Sequence, residues 1–278
     1  MVKKIFSRLF IFFVLLLLYL PIMVLVVFSF SEAGRTITFD AFKDFKFGFG
    51  LYKSLFANEA IMTAVGNTVL IAIISSLIAT IIGTLACTGI QAMKQKSRNL
   101  LMNMNQIPVI NADIVTSFAL MLSFVALGVF SIKSAVEIGY ITLIIAHVLI
   151  SLPFIILTIM PRMRQLDENL YDAATDLGAK PFYAFTHVIL PQIIPAMLTA
   201  FLLGFTLSLD DFVITQYNNN FGSVQTISTI VYSSTKRGVP PQFRALTAII
   251  MLVVFIVLIA INIKPKKKRK NNLQTEKI

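Results

Sequence analysis

The sequence predicts an all-α membrane protein with six transmembrane helices and both termini in the cytoplasm, and three observations predict it. Apolar residues make up 57% of the 278 and charged residues only 13%, about half of the roughly 25% charged share usual in soluble domains. Uncharged runs recur along the chain, each long enough to cross about 30 Å of hydrocarbon at about 1.5 Å per residue. The 24 lysines and arginines fall unevenly between those runs. With six spans and an inner N-terminus, 16 of them lie inside and 8 outside, the bias that orients membrane proteins. The net charge of +11 points to nucleic acid in a soluble chain, but here orientation accounts for it.

The spans follow in order. Residues 9–30 are 22 uncharged residues behind Lys3, Lys4 and Arg8. A cleaved signal peptide has an apolar core of only roughly 7–15 residues, so a retained first helix is expected. An outer segment over 31–58 interleaves Phe39, Phe42, Phe45, Phe47, Phe49, Tyr52 and Phe56 with Lys43, Lys46 and Lys53. That mixture fits rings at the membrane interface beside snorkelling lysines better than a nucleic-acid surface, and it leaves a face for an outer partner. No charge occurs between Glu59 and Lys94, which places the second span near 62–90. Gly66, Asn67, Thr68, Gly83 and Ala86 give it small surfaces for helix packing.

Lys94, Lys96 and Arg98 mark an inner loop before the third span, near 107–130, which has Asp113 toward its cytoplasmic end. The fourth, near 138–160, follows Lys133 and Glu137 and contains Pro153 and His147, the latter read as a packing residue with satisfied nitrogens rather than a proton relay. The fifth runs near 193–215. A polar outer stretch with Asn218, Asn219, Asn220, Lys236, Arg237, Pro240 and Pro241 precedes the sixth, near 245–263. Residues 264–278 begin with a basic cluster that reads as a cytoplasmic stop. The organisation expected is a short inner N-terminus over 1–8, one helical domain over 9–263 with a polar inner loop at 161–191, and the tail.

Several chemistries are excluded. Cys87 is the only cysteine, so the chain holds neither an internal disulfide nor a cysteine metal cluster. GxxxxGK[ST], HExxH and GxSxG are all absent, and no catalytic or metal-ligating set is expected.

The polar loop carries its own helix grammar. Asp167 has an N-cap side chain, Leu166 and Tyr171 stand at the spacing of a hydrophobic staple, and Glu168 adds negative charge to the first turn. Leu170, Ala173, Ala174 and Leu177 follow at i, i+3, i+4 and i+7, opposite Asp172, Thr175 and Asp176. Gly178 supplies a left-handed stop, Pro181 starts a second helix and Pro191 is expected to end it.

Asp172-Ala173-Ala174, three residues, Gly178, nine residues, Val188, one residue and Leu190-Pro191 resemble the EAA motif of ABC-importer permease subunits, E-A-A-x3-G-x9-I-x-L-P. The spacing is intact. Asp172 stands for Glu and Val188 for Ile, so the acidic contact is one methylene shorter. The resemblance implies the MetI-like permease fold. It also makes the loop a coupling element, through which Asp172, Ala173, Ala174, Gly178, Leu190 and Pro191 meet a cytoplasmic ATPase. ATP and Mg would then be bound by that partner, with no cofactor in this chain. An ordinary amphipathic loop helix is the alternative.

The membrane interior offers a second set. Asp210 and Asp211 stand about 17 residues into the fifth span, about 25 Å from its inner end. A carboxylate at a membrane helix centre costs roughly 2.5–3.5 kcal/mol on insertion scales. On one helix the neighbours point about 100° apart, so only one squarely faces a pathway. A cationic solute offsets the cost, which makes Asp210, Asp211 and, more weakly, Asp113 candidate pathway residues. Structural hydrogen bonding or outer water is the alternative.

Residues 205–211, FTLSLDD, with Ala112-Asp113-Ile114-Val115, Asp176-Leu177-Gly178-Ala179, Val231-Tyr232 and Arg237-Gly238-Val239-Pro240, are similar to the permeases of spermidine/putrescine importers over roughly 9–263. Ala112, where proline is usual, and Asn218 to Asn220 depart from that pattern. The resemblance implies a second permease, two copies of the ATPase and an extracytoplasmic polyamine-binding protein as partners. A permease for another small solute and an ATP-independent cation channel or carrier stay open.

Overall fold

A computed structural model describes residues 2–31, 45–129, 135–167, 169–219, 222–235 and 238–262. Phe39, Phe42, Lys43, Lys133, Glu168, Asn220, Lys236, Arg237 and the basic tail, all used in the sequence reading, lie outside the described residues. The elements are α1 (Val2–Ser29), α2 (Gly50–Phe56), α3 (Glu59–Gln91), α4 (Gln95–Ile110), α5 (Asp113–Ala126) and α6 (Ala135–Met163). After them come α7 (Asn169–Asp176), α8 (Pro181–Ala184), a π-helical turn (Phe185–Ile189), α9 (Leu190–Asp210), α10 (Val213–Asn218), α11 (Ile227–Thr235) and α12 (Gln242–Asn262). Apart from a single bridge between Ser31 and Phe47, the described residues contain no strand. Among the described residues, four helical runs are long and apolar enough to cross a membrane, and five if α4 with α5 counts as one broken span.

The chain forms two compact units, one from the described parts of Met1–Glu59 and Ser234–Ile278, the other from Ala60–Ser233. In the first, α1 and α2 pack on α12. Side chains from Leu9 to Leu20 on α1 are exposed, as suits a helix whose solvent is lipid. Beyond α1, Phe30 stacks on Phe47 at 5.6 Å and lies 5.3 Å from the Tyr52 ring, while Tyr52 Oη and Ser29 Oγ are 2.8 Å apart. The segment expected as an outer loop thus contains a short helix, α2, with Leu51 and Leu55 buried.

In the second unit, α3, α6 and α9 share a core of Ala79, Cys87, Ile155, Ile159, Met160, Ile193 and Ala200. Several of the hydroxyls α3 buries are satisfied along its own backbone: Thr68 donates to the Ala64 carbonyl, Thr80 to Ser76 and Thr84 to Thr80, at 2.7–2.8 Å. Asn67 faces other elements, accepting from Tyr140 Oη at 2.6 Å and donating to the Gln225 carbonyl at 2.8 Å. Gly83 permits a close approach of α3 to α6, because a Cβ there would sit 2.6 Å from Ile155 Cγ2. Gly83→Val is expected to lower the thermal midpoint of the detergent-solubilised protein through overpacking of about 1–3 kcal/mol, with partial rescue by Ile155→Ala.

Three expectations about the spans are corrected. The third is not one helix over 107–130: α4 and α5 meet at 101°, because Asn111 and Ala112 take extended backbone (ψ 147° and 133°). Asn111 Nδ2 reaches Thr116 Oγ1 at 3.3 Å across the break, and such local bonding competes with the helix ladder. The fifth span does not continue to 215: α9 ends at Asp210, and Asp211 is extended (ψ 128°). Pro191 does not end its helix either. The π-helical turn lets the Leu190 amide bond the Phe185 carbonyl, one residue further back than in an α-helix, and so accommodates the proline, which has no N–H. One apolar helical run extends from Pro181 to Asp210.

Candidate functional site

The second unit presents two constellations. In the first, α7 begins with the Asp167 carboxylate accepting from the Asn169 amide at 3.0 Å, the bond of a helix N-cap. It ends with Gly178 at φ +86°. The Gly178 amide bonds the Thr175 carbonyl at 2.9 Å and the Ala179 amide bonds the Ala174 carbonyl at 3.1 Å, the two bonds of a Schellman stop. Pro181 sits in the first turn of α8, so α7 and α8 form a glycine-hinged hairpin. It surrounds a cleft of about 520 Å³ lined by Ala174, Leu177, Gly178, Tyr183 and Val188.

The expected apolar face of α7 is divided. Leu170 and Ala174 are half-buried, while Asp172 and Ala173 are exposed. Leu177 is 90% exposed and Phe182 79%, so the hairpin's largest apolar side chains project away from the chain. Leu190 and Pro191 stand beyond the π-helical turn, half-buried and exposed respectively.

The second constellation lies where α5, α6 and α9 meet the break before α10. A cavity of about 490 Å³ is lined by Asp113, His147, Ser151, Phe154, Thr206, Asp210 and Asp211, with Ile150, Leu207, Phe212, Val213 and Ile214. Asp113, placed by its sequence position toward the opposite end from Asp210 and Asp211, shares this cavity with them. The reason is the broken third span: α4 takes up 16 residues before Asp113 opens α5. Among the described residues no lysine or arginine lines the cavity.

The adjacent aspartates have different surroundings. Asp210 is exposed at the end of α9. Asp211 turns back onto α10, where Oδ1 accepts from the Ile214 amide at 3.1 Å and Oδ2 from the Thr215 amide at 2.9 Å and the Thr215 hydroxyl at 3.2 Å. Its carboxylate caps α10. The pair expected on one helix at about 100° is instead split by a helix break.

His147 on α6 was not among the sequence-derived site residues, yet it lines the cavity. It is 2% exposed, with Nδ1 2.9 Å from Ser208 Oγ and Nε2 3.3 Å from Thr215 Oγ1. Its Nε2 also lies 3.8 Å from Asp211 Oδ2. A histidine inside an apolar run carries no sequence signal for these partners, since Thr215 and Asp211 reach it only through the break. Among the described residues no group of three or more His, Cys, Asp or Glu could hold a metal ion.

Residues 79–264 match the family model described as binding-protein-dependent transport system inner membrane component. The chain is 34% identical over 241 residues to the putrescine transport system permease protein PotI of Escherichia coli (strain K12), covering 86% of this chain and 83% of that one. It is 29% identical over 255 residues, 92% of each chain, to the spermidine/putrescine transport system permease protein PotC of the same organism. Among solved structures it resembles a chain of a bacterial alginate ABC transporter in complex with an alginate pentasaccharide-bound periplasmic protein. That likeness has a TM-score of 0.63 at 19% identity, over 93% of this chain and 92% of that one, and it speaks to the fold alone.

Proposed function

Because this chain belongs to the family of binding-protein-dependent transport system inner membrane components, we propose that it is one permease subunit of an ATP-driven importer of polyamines, spermidine or putrescine. At the level of the family it is an ABC-importer permease, a multi-pass protein of the plasma membrane and a transport subunit. In this reading it crosses the membrane six times within residues 9–263, keeps both termini and the 161–191 loop in the cytoplasm, and pairs with a second permease. An extracytoplasmic binding protein delivers the polyamine. Two ATPase copies bind ATP and Mg and meet the hairpin at Asp172, Ala173, Ala174 and Gly178, with Leu190 and Pro191 behind it. The exposed Leu177 and Phe182 supply apolar surface for that contact.

The observation that carries the choice of solute is the convergence of Asp113, Asp210 and Asp211 on one cavity that, among the described residues, has no lysine or arginine in its lining. At an effective dielectric of about 20, an ammonium about 4 Å from a carboxylate gains about 4 kcal/mol. A flexible solute with several ammonium groups can meet more than one carboxylate, whereas an acidic solute is repelled. The names of the two relatives point to the same chemistry.

Asp210→Asn and Asp113→Asn, at equal abundance in the membrane, are each expected to lower uptake of labelled spermidine or putrescine about tenfold. Unchanged uptake in both variants removes the polyamine reading. Polyamine entry into liposomes holding this chain alone, without ATP, would select a self-contained carrier instead.

A further inference from the structure

The hydrogen bonds around His147 have a single consistent direction. Asp211 Oδ1 and Oδ2 each accept a backbone amide, so both oxygens of this side chain are turned toward donors. The Thr215 hydroxyl therefore gives its one proton to Asp211 Oδ2, 3.2 Å away, and only its lone pairs remain for His147. Nε2 must then be the protonated nitrogen, donating to Thr215 Oγ1 at 3.3 Å. Nδ1 is bare and accepts from the Ser208 hydroxyl at 2.9 Å. Ser208 in turn accepts from Ser75 Oγ on α3 at 3.3 Å, the Ala72 carbonyl at 3.4 Å being the other acceptor within reach of that hydroxyl. Ser75, Ser208, His147, Thr215 and Asp211 thus form one donor-to-acceptor chain across α3, α9, α6 and α10, satisfied by a single neutral tautomer.

Its last member is the carboxylate that caps α10, and its setting differs from that of the exposed Asp210. We infer that His147 is a positioning residue: through Thr215 it keeps Asp211 committed to the cap of α10, so that Asp210 and Asp113 are the carboxylates that meet a cation in the cavity. It thereby limits how many negative groups the cargo encounters, which bears on the choice between a diamine and a triamine. This assignment rests on the polyamine reading above. The titratable groups around the imidazole are Asp211, 3.8 Å from Nε2, and Asp113 and Asp210 across the cavity; α9 presents it with the Ser208 hydroxyl, which Ser75 of α3 contacts from behind.

The test uses cells carrying the complete transporter and measures saturating initial rates for labelled spermidine and putrescine. Loss of folded protein scales both rates equally, so their ratio isolates positioning. His147→Ala frees Asp211, adds a third carboxylate to the path and holds the triamine longest. The spermidine-to-putrescine rate ratio is expected to fall about threefold or more. His147→Gln, whose amide can still donate to Thr215, should restore most of the ratio. In an Asp211→Asn background, which retains a cap acceptor but has no charge to release, His147→Ala should add no further shift.

An unchanged ratio in His147→Ala overturns the assignment. So does a shift of the same size in the Asp211→Asn background. Asp210→Asn run in parallel separates the two levels. If it lowers uptake while the His147→Ala ratio stays put, only the role of His147 is lost; if it changes neither rate, the cation cavity is lost and this inference with it.

Discussion

Gly178→Val is expected to reduce ATP-coupled uptake to background while leaving the chain in the membrane. Gly178 has φ +86°, a region that costs an ordinary L-residue roughly 1–2 kcal/mol and a β-branched one more. A Cβ at this position meets nothing within 4 Å, so the harm comes from the backbone and not from crowding. Relaxing φ breaks the paired bonds from Gly178 to Thr175 and from Ala179 to Ala174 and re-aims α8 relative to α7. The core of α3, α6 and α9 does not include the hairpin, so membrane abundance should hold. Gly178→Asn, whose side chain tolerates left-handed backbone, should keep most activity. Co-purification of the ATPase subunits, measured with uptake, checks the mechanism; full transport by the valine variant would remove the hairpin from the coupling path.

Asp211→Leu is expected to be the most destabilising single change in the second unit, and Asp210→Leu nearly silent for stability. Leucine at 211 withdraws the acceptor from the Ile214 and Thr215 amides, on residues only 5% and 1% exposed. A buried polar group left unpaired costs about 1–3 kcal/mol and a lost N-cap about 1 kcal/mol. The Thr215 hydroxyl loses its acceptor as well. The Asp210 side chain makes no hydrogen bond or ion pair among the described residues, so its replacement should spare the fold and affect transport. Thermal unfolding of the solubilised variants, followed by loss of soluble monomer, checks this. Equal midpoints for Asp211→Leu and Asp210→Leu would refute the division of roles between the neighbours.

Periodicity and composition suffice for the long elements, because a helix that faces lipid or other helices must be apolar over most of its length. This holds for α1, α3, α6 and the apolar part of α9. The hairpin is legible for a different reason: Asp167, Gly178 and Pro181 each impose a local backbone requirement that depends on few neighbours. The helix breaks are not legible in this way. At Asn111-Ala112 and at Asp211 the extended backbone is accompanied by side-chain bonds to residues further along the chain, Thr116 in one case and Thr215 in the other. Missing the first break placed Asp113 far from Asp210 and Asp211, although all three line one cavity. Missing the second concealed the capping role of Asp211 and the reason His147 is buried beside it. Pro191 misled in the opposite sense, since proline reads as a terminator unless a π-helical turn accommodates its missing amide.

That turn has a mechanical consequence. From Leu190 to Asp210 the helix is 21 residues long, about 31 Å at about 1.5 Å per residue. The irregular turn at its start makes a natural fulcrum close to the hairpin, with a stiff lever arm beyond it and a carboxylate at the tip. A swing of about 5° about that fulcrum carries the tip through about 2.7 Å, roughly one hydrogen-bond length. In the proposed polyamine importer, a small push at one end would thus be enough to make or break a grip on an ammonium at the other.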